Sequence, residues 1–264
     1  MYRIAFHICL VAITFYLSGC AESLKVKSYS PRPEIGDVIS GTIVKPDGEG
    51  PFPGIIILHG CAGITDNDYQ WSRRLKSWGY ASLILNSLGS RGVADNCGYP
   101  KKILVLERAL DAHAAKVQFG NLPFVDRNRI GVLGYSEGGM TVLESVQFNL
   151  VEYSLPEEAR DPFKAAVALY PWCNKKVGAN TNLMILIGEK DDWTPANLCQ
   201  ENLPTVHFPE DEIALKIYPG AYHKFDENKR DRVSRGHFLS YSASAMNDAV
   251  PRVRTFLEKH VKSE

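Results

Sequence analysis

The sequence predicts an α/β fold built on one mainly parallel sheet with helices on both faces. Short apolar runs alternate with longer stretches of helical periodicity along most of the 264 residues. The central runs are nearly unbroken Ile, Leu and Val, as strands buried on both faces require. Expected strands span residues 38–44, 54–59, 80–86, 129–134, 165–170, 183–188 and 213–218. Expected helices fall between them, at 67–78, at 101–119 with Ile103, Leu106, Leu110 and Val117 in helical spacing, at 137–149, at 195–202 and at 239–260. Residues 151–162 and 224–236 read as polar insertions too short to form a second domain. No internal repeat or low-complexity run is present.

Charge and length narrow the function. Thirty Lys plus Arg balance thirty Asp plus Glu, so no net field draws the chain to nucleic acid. One domain of residues 37–264 is an ordinary size for a single core. The first 19 residues read as a signal peptide: Arg3 precedes an apolar stretch from Ile4 to Leu17 that is short for a membrane span. The stretch ends in Leu17-Ser18-Gly19-Cys20, which resembles the bacterial lipobox, so Cys20 is expected to carry a lipid anchor. Ala21 follows it, which under the Gram-negative sorting pattern implies the outer membrane. Residues 20–36, with Pro31, Pro33 and several Ser and Lys, then read as a tether.

Cysteine usage agrees with export. Cys9 leaves with the signal and Cys20 is consumed by lipid, leaving Cys61, Cys97, Cys173 and Cys199. An even number in an oxidising compartment suggests two disulfides. Of the three possible connectivities, Cys61–Cys97 with Cys173–Cys199 joins neighbouring loops of the expected fold. Neither C-x-x-C nor H-x-x-x-H accompanies them, so neither metal nor cofactor is expected.

The strongest chemical signal is Gly134-Tyr135-Ser136-Glu137-Gly138-Gly139. It follows an apolar strand and opens an amphipathic segment, the setting of a nucleophile elbow. Glycines two residues either side of the serine relieve crowding where strand and helix backbones nearly touch. A serine hydroxyl needs a base, and the base an orienting acid. With chain order nucleophile, acid, base, either Asp191 or Asp192 could serve as acid, since both follow the strand ending at Gly188. His207, His223 and His237 follow them, and His223, in the loop after Tyr218, is the favoured base. Oxyanion donors are expected from the Glu137 amide and from the loop His59-Gly60-Cys61-Ala62-Gly63, with Cys61 N–H as the candidate.

Taken together, Leu58-His59-Gly60-Cys61-Ala62-Gly63, Asn86-Ser87-Leu88-Gly89-Ser90-Arg91-Gly92, the elbow, Tyr170-Pro171-Trp172-Cys173, Asp191-Asp192-Trp193-Thr194-Pro195 and His223-Lys224-Phe225 resemble the dienelactone hydrolase family over residues 40–260. The resemblance implies an α/β-hydrolase fold with an eight-stranded sheet, no large cap, no metal, and hydrolysis of small-molecule esters or lactones. It favours Asp191 as the acid by its placing between Gly188 and Pro195. It offers Arg91 as a group that holds a substrate carboxylate, with a loop-shaping salt bridge as the alternative, and Trp172 and Trp193 as pocket walls or packing. The name-giving members use a cysteine nucleophile and are not usually lipoproteins, so Ser136 and Cys20 are departures. A prolyl-oligopeptidase-like peptidase and a non-catalytic surface binding module are the other readings. Oligomeric state has no signal in the sequence.

Overall fold

The structure is a computed structural model, and it describes residues 22–262. The expected signal peptide and the lipid-bearing Cys20 lie outside the described residues. Twelve strands and six helices follow in order: β1 Ser23–Lys27, β2 Val38–Val44, β3 Phe52–Leu58, α1 Asp66–Ser77, β4 Ala81–Asn86, α2 Val105–Gly120, β5 Val125–Tyr135, α3 Glu137–Ser145, α4 Phe148–Ser154, β6 Ala166–Leu169, β7 Gly178–Ala179, β8 Leu183–Gly188, α5 Ala196–Glu201, β9 Thr205–Val206, β10 Ile213–Tyr218, β11 Arg232–Ser234, β12 His237–Leu239 and α6 Ala243–Leu257. Eight strands form one sheet in the order β1-β2-β4-β3-β5-β6-β8-β10. The pairs β1/β2 and β2/β4 are antiparallel; the remaining neighbours are parallel. This is the expected α/β-hydrolase architecture.

Hydrophobic burial sets the layers. Ile55, Ile56 and Ile57 of β3 are fully buried, each worth about 1.5–3 kcal/mol, because helices cover both faces of the central strands. Most of α2 is buried as well, so its charged side chains must be paired. Asp111 takes a bidentate contact from Arg91 at 2.6 and 2.9 Å, and Lys116 reaches Asp161 at 3.0 Å.

Several expected boundaries move, each for a local reason. Residues 20–36 are not a tether along their described length. Ser23–Lys27 adds an edge strand to the sheet, with Val26 fully buried. Beyond it, Ser28 donates to Asp111 and Arg32 pairs with Glu107, both on α2. The folded domain therefore includes residues upstream of the expected 37, from Ser23 onward. Helix α2 starts at Val105 because Glu107 turns back to accept the Leu104 N–H at 2.7 Å. The helix expected over 137–149 breaks after Ser145, and α4 runs into the expected insertion at 151–162. The last helix starts at Ala243, where Ser242 Oγ caps the Ala245 N–H at 3.2 Å. The second insertion, 224–236, contributes β11 to a hairpin with β12. β7 and β9 form a separate small parallel pair. Both expected disulfides are present, Cys61–Cys97 and Cys173–Cys199.

Candidate active site

Ser136 occupies the turn between β5 and α3 with φ 56° and ψ −122°, a conformation that costs a non-glycine residue of order 1–3 kcal/mol. The turn is held by the Ser136 N–H donating to Leu169 O at 3.0 Å and by Met140 N–H donating to Ser136 O at 3.0 Å. Gly138 cannot be larger: a Cβ there would overlap the Leu58 carbonyl, and one on Gly134 would overlap the Gly138 carbonyl. The glycines let helix, elbow and neighbouring strand pack at backbone contact. Strain at the serine is the consequence, and it presents Oγ at the carboxyl edge of the sheet.

Three side chains from separate loops converge there. His223 Nε2 lies 3.0 Å from Ser136 Oγ, and His223 Nδ1 lies 2.7 Å from Asp191 Oδ2. Asp191 is fixed in turn, its Oδ1 accepting the N–H groups of Trp193 at 3.0 Å and Thr194 at 2.8 Å. Thr194 Oγ1 lies 2.8 Å from Asp191 Oδ2. The imidazole is fully buried, packed edge-on by Tyr170 at 4.6 Å and tilted against Trp193 at 5.2 Å. Asp192 points elsewhere, half exposed, with His237 Nδ1 at 3.5 Å. The other two downstream histidines stand apart from this triplet: His237 stacks on Trp193 at 4.8 Å, and His207 stacks on Phe148 at 3.5 Å.

The loop carrying His223 is anchored by a buried carboxylate. Asp226 accepts from Tyr170 Oη at 2.6 Å, Asn67 Nδ2 at 2.8 Å and Trp71 Nε1 at 2.8 Å, tying the loop to β6 and α1. Asp226→Asn places an NH2 group among these donors and strands at least one of them. We expect a loss of about 1–3 kcal/mol in urea unfolding; an unchanged midpoint would refute the anchoring role.

Over Ser136 lies a cleft of about 260 Å³ lined by Cys61, Tyr135, Trp193, Lys224, Arg232 and Arg235, among others. Trp193 and Cys61 both line this cleft. Two expected contacts are corrected. Arg91 does not face the cleft: its side chain is buried, bonded to Asp111, Gly36 O and Ser87 O, so it shapes the loop and leaves no donor fork for a substrate. Trp172 lines a separate groove with Val105, Met140 and Leu143. The cations that do face the cleft, Lys224, Arg232 and Arg235, come from the segment read as a polar insertion. Only its density of Lys and Arg hinted at them.

Two buried histidines give the fold a pH dependence. Burial, reinforced by the Arg108 charge, draws His59 down to about 3, and burial draws His113 down to about 4. Both are neutral when folded, whereas the unfolded chain protonates them near 6.5. Their contribution is complete above that value and is lost as pH falls toward the folded values, with a slope approaching about 1.4 kcal/mol per pH unit for each. Urea midpoints measured from pH 7 to 5 should fall accordingly, and His113→Gln should flatten the slope. An unaltered slope would contradict this account of His113.

Among the described residues no cluster of His, Cys, Asp and Glu could hold a metal ion, and no helix is long and apolar enough to cross a membrane.

The model of the dienelactone hydrolase family matches residues 39–261. No curated protein matches the sequence. Among solved structures, a Klebsiella pneumoniae subsp. pneumoniae protein described provisionally as a dienelactone hydrolase aligns with TM-score 0.66 at 17% identity, over 91% of this chain and 100% of its own. A dienelactone hydrolase-like promiscuous phosphotriesterase from metagenomic libraries gives 0.65 at 17% identity, over 92% and 99%. Thermogutta terrifontis esterase 2, in a form phosphorylated by paraoxon, gives 0.62 at 16% identity, over 92% and 96%. These structural likenesses carry the fold, and the family model covers nearly the whole described chain. The chain belongs to the dienelactone hydrolase family and is a carboxylic ester hydrolase.

Proposed function

We infer that the chain cleaves carboxylic esters or lactones through an acyl-enzyme on Ser136, with His223 as base and Asp191 as orienting acid. The observation that carries this reading is the continuous run of contacts Asp191 Oδ2 to His223 Nδ1 to His223 Nε2 to Ser136 Oγ, at 2.7 and 3.0 Å. Asp191 keeps the proton on Nδ1, so Nε2 is free to accept the serine proton as Oγ attacks the carbonyl carbon. The amides of Glu137 and Cys61 receive the oxyanion; each such donor is worth about 10²–10³ in kcat. The imidazolium then protonates the leaving alcohol, and water, deprotonated by His223, releases the acid. A fluorophosphonate probe should label the protein at Ser136, located by peptide mapping. Failure to label under conditions in which a serine esterase control reacts would favour the binding-module reading.

The cleft wall bears on substrate. Lys224 and Arg232 share one carboxylate, Glu227, at 2.7 and 2.6 Å, while Arg235 pairs with Asp95 of the cleft lining; the single positive charge in surplus favours substrates bearing an acid group. Localisation is also part of the proposal: a lipid on Cys20 would hold the enzyme in the cell envelope, and the two disulfides, which persist in oxidising compartments, support export.

A further inference from the structure

Behind the elbow lies a buried polar cluster that the mechanism above does not use. Arg108 of α2 has no solvent exposure. Its Nη2 donates to the carbonyl of His59 at 2.5 Å, and its Nη1 lies 3.3 Å from Glu137 Oε2, an ion pair without hydrogen-bond geometry. The other Glu137 oxygen, Oε1, accepts from Asn96 Nδ2 at 2.8 Å and lies 3.2 Å from Lys101 Nζ. Asn96 then closes a ring, since its backbone N–H donates to Cys61 O at 2.9 Å and its neighbour Cys97 is bonded to Cys61.

The residues so joined are the two arms of the oxyanion site. Glu137 supplies one amide; His59 leads by two residues into Cys61, which supplies the other. Nothing covalent links these arms near the site, because one belongs to the loop after β3 and the other to the start of α3. A guanidinium is suited to bridging them: it is planar, permanently charged and able to hold two acceptors at a fixed angle. A lysine in its place is a single point of charge.

We propose that Arg108 is a positioning residue for catalysis, a strut that sets the separation of the Glu137 and Cys61 amides by donating to the His59 carbonyl while its charge holds the Glu137 carboxylate beside it. Asn96 is the second tie across the same gap. The inference rests on the serine-nucleophile reading, because only then do the two amides face a developing oxyanion. Misplacing a reacting group by about 1 Å costs on the order of 10²-fold in rate, so a loosened strut should act on kcat more than on KM.

The test uses Arg108→Lys, Glu137→Gln and the double variant, each titrated with a fluorophosphonate so that rates are counted per reactive serine. Misfolded protein is thereby excluded from the count. Arg108→Lys should lower kcat on a p-nitrophenyl ester by about 10- to 100-fold with KM within about threefold, and should weaken a boronic acid, which mimics the tetrahedral intermediate, in the same proportion. Glu137→Gln, which keeps the backbone amide and the Asn96 contact, should lose part of the same factor. The double variant should be no worse than the more impaired single variant, since the Arg108–Glu137 pairing is already lost in either one. A structural role alone would lower the melting temperature and the titratable fraction while leaving kcat and boronate affinity per site intact, and that result overturns the proposal. If Arg108→Lys yields no titratable sites, Glu137→Gln decides by the same readouts. Absence of labelling at Ser136 in the unaltered protein would instead remove the serine reading itself.

Discussion

Ser136→Ala is expected to reduce turnover of a short p-nitrophenyl ester by about 10⁶-fold, the order of loss when the nucleophile of such a triad is deleted. The fold should survive. Ser136 is buried, and among the described residues the side chain that hydrogen-bonds its Oγ is His223, so alanine removes one exchangeable hydrogen bond and creates no cavity of consequence. The backbone conformation is equally strained for serine and alanine, because both carry a Cβ at φ 56°. Activity and circular-dichroism melting should therefore part company. Near-normal turnover in the variant would end the nucleophile assignment.

Asp191→Asn should cost about 10⁴-fold in kcat, against at most a few-fold for Asp192→Asn. The asparagine oxygen can still accept from the Trp193 and Thr194 amides, so the loop keeps its shape. Its NH2 then faces His223 Nδ1 in place of an oxygen. The imidazole must accept there, moving its proton to Nε2, where it can no longer take one from Ser136. Asp192 has no such leverage: it is half exposed and its contacts are to the β12 hairpin, through Phe238 N–H at 3.3 Å and His237 at 3.5 Å. Steady-state kinetics on the two variants side by side decides the matter, and equal losses would mean that neither aspartate acts through the imidazole alone.

How much of this was legible in the sequence depended on where each signal resides. The central strands were readable because burial on both faces demands unbroken aliphatic runs, and strand 183–188 matches residue for residue, as do the more peripheral strands 38–44 and 213–218. Ser136 and His223 could be singled out because sterics at the elbow and chain order leave few options, Asp191 was favoured over Asp192 by the family resemblance alone, and the structure brings those three within hydrogen-bonding reach. Arg91 was not, since its partner Asp111 lies on a helix whose rotation about its axis no local pattern fixes. The edge strand β1 was hidden by composition: Lys25 and Lys27 suggested solvent, while the alternation of Leu24 and Val26 was the overlooked sign of a half-buried strand. Lys224, Arg232 and Arg235 escaped for a related reason, because a charged hairpin and a solvated loop have similar composition. The strut at Arg108 could not be read at all, since it joins three segments far apart along the chain.

The edge strand carries one more implication. β1 is antiparallel to β2, and β2 to β4, so β1 runs in the same direction as the parallel strands and its first residue, Ser23, stands at the rim of the sheet farthest from Ser136. Only Ala21 and Glu22 separate Cys20 from that strand, a reach of about 10 Å at full extension. With the proposed lipid on Cys20, the enzyme would sit close against the bilayer with the Ser136 cleft turned outward, better placed to sample dissolved esters than acyl chains beneath it.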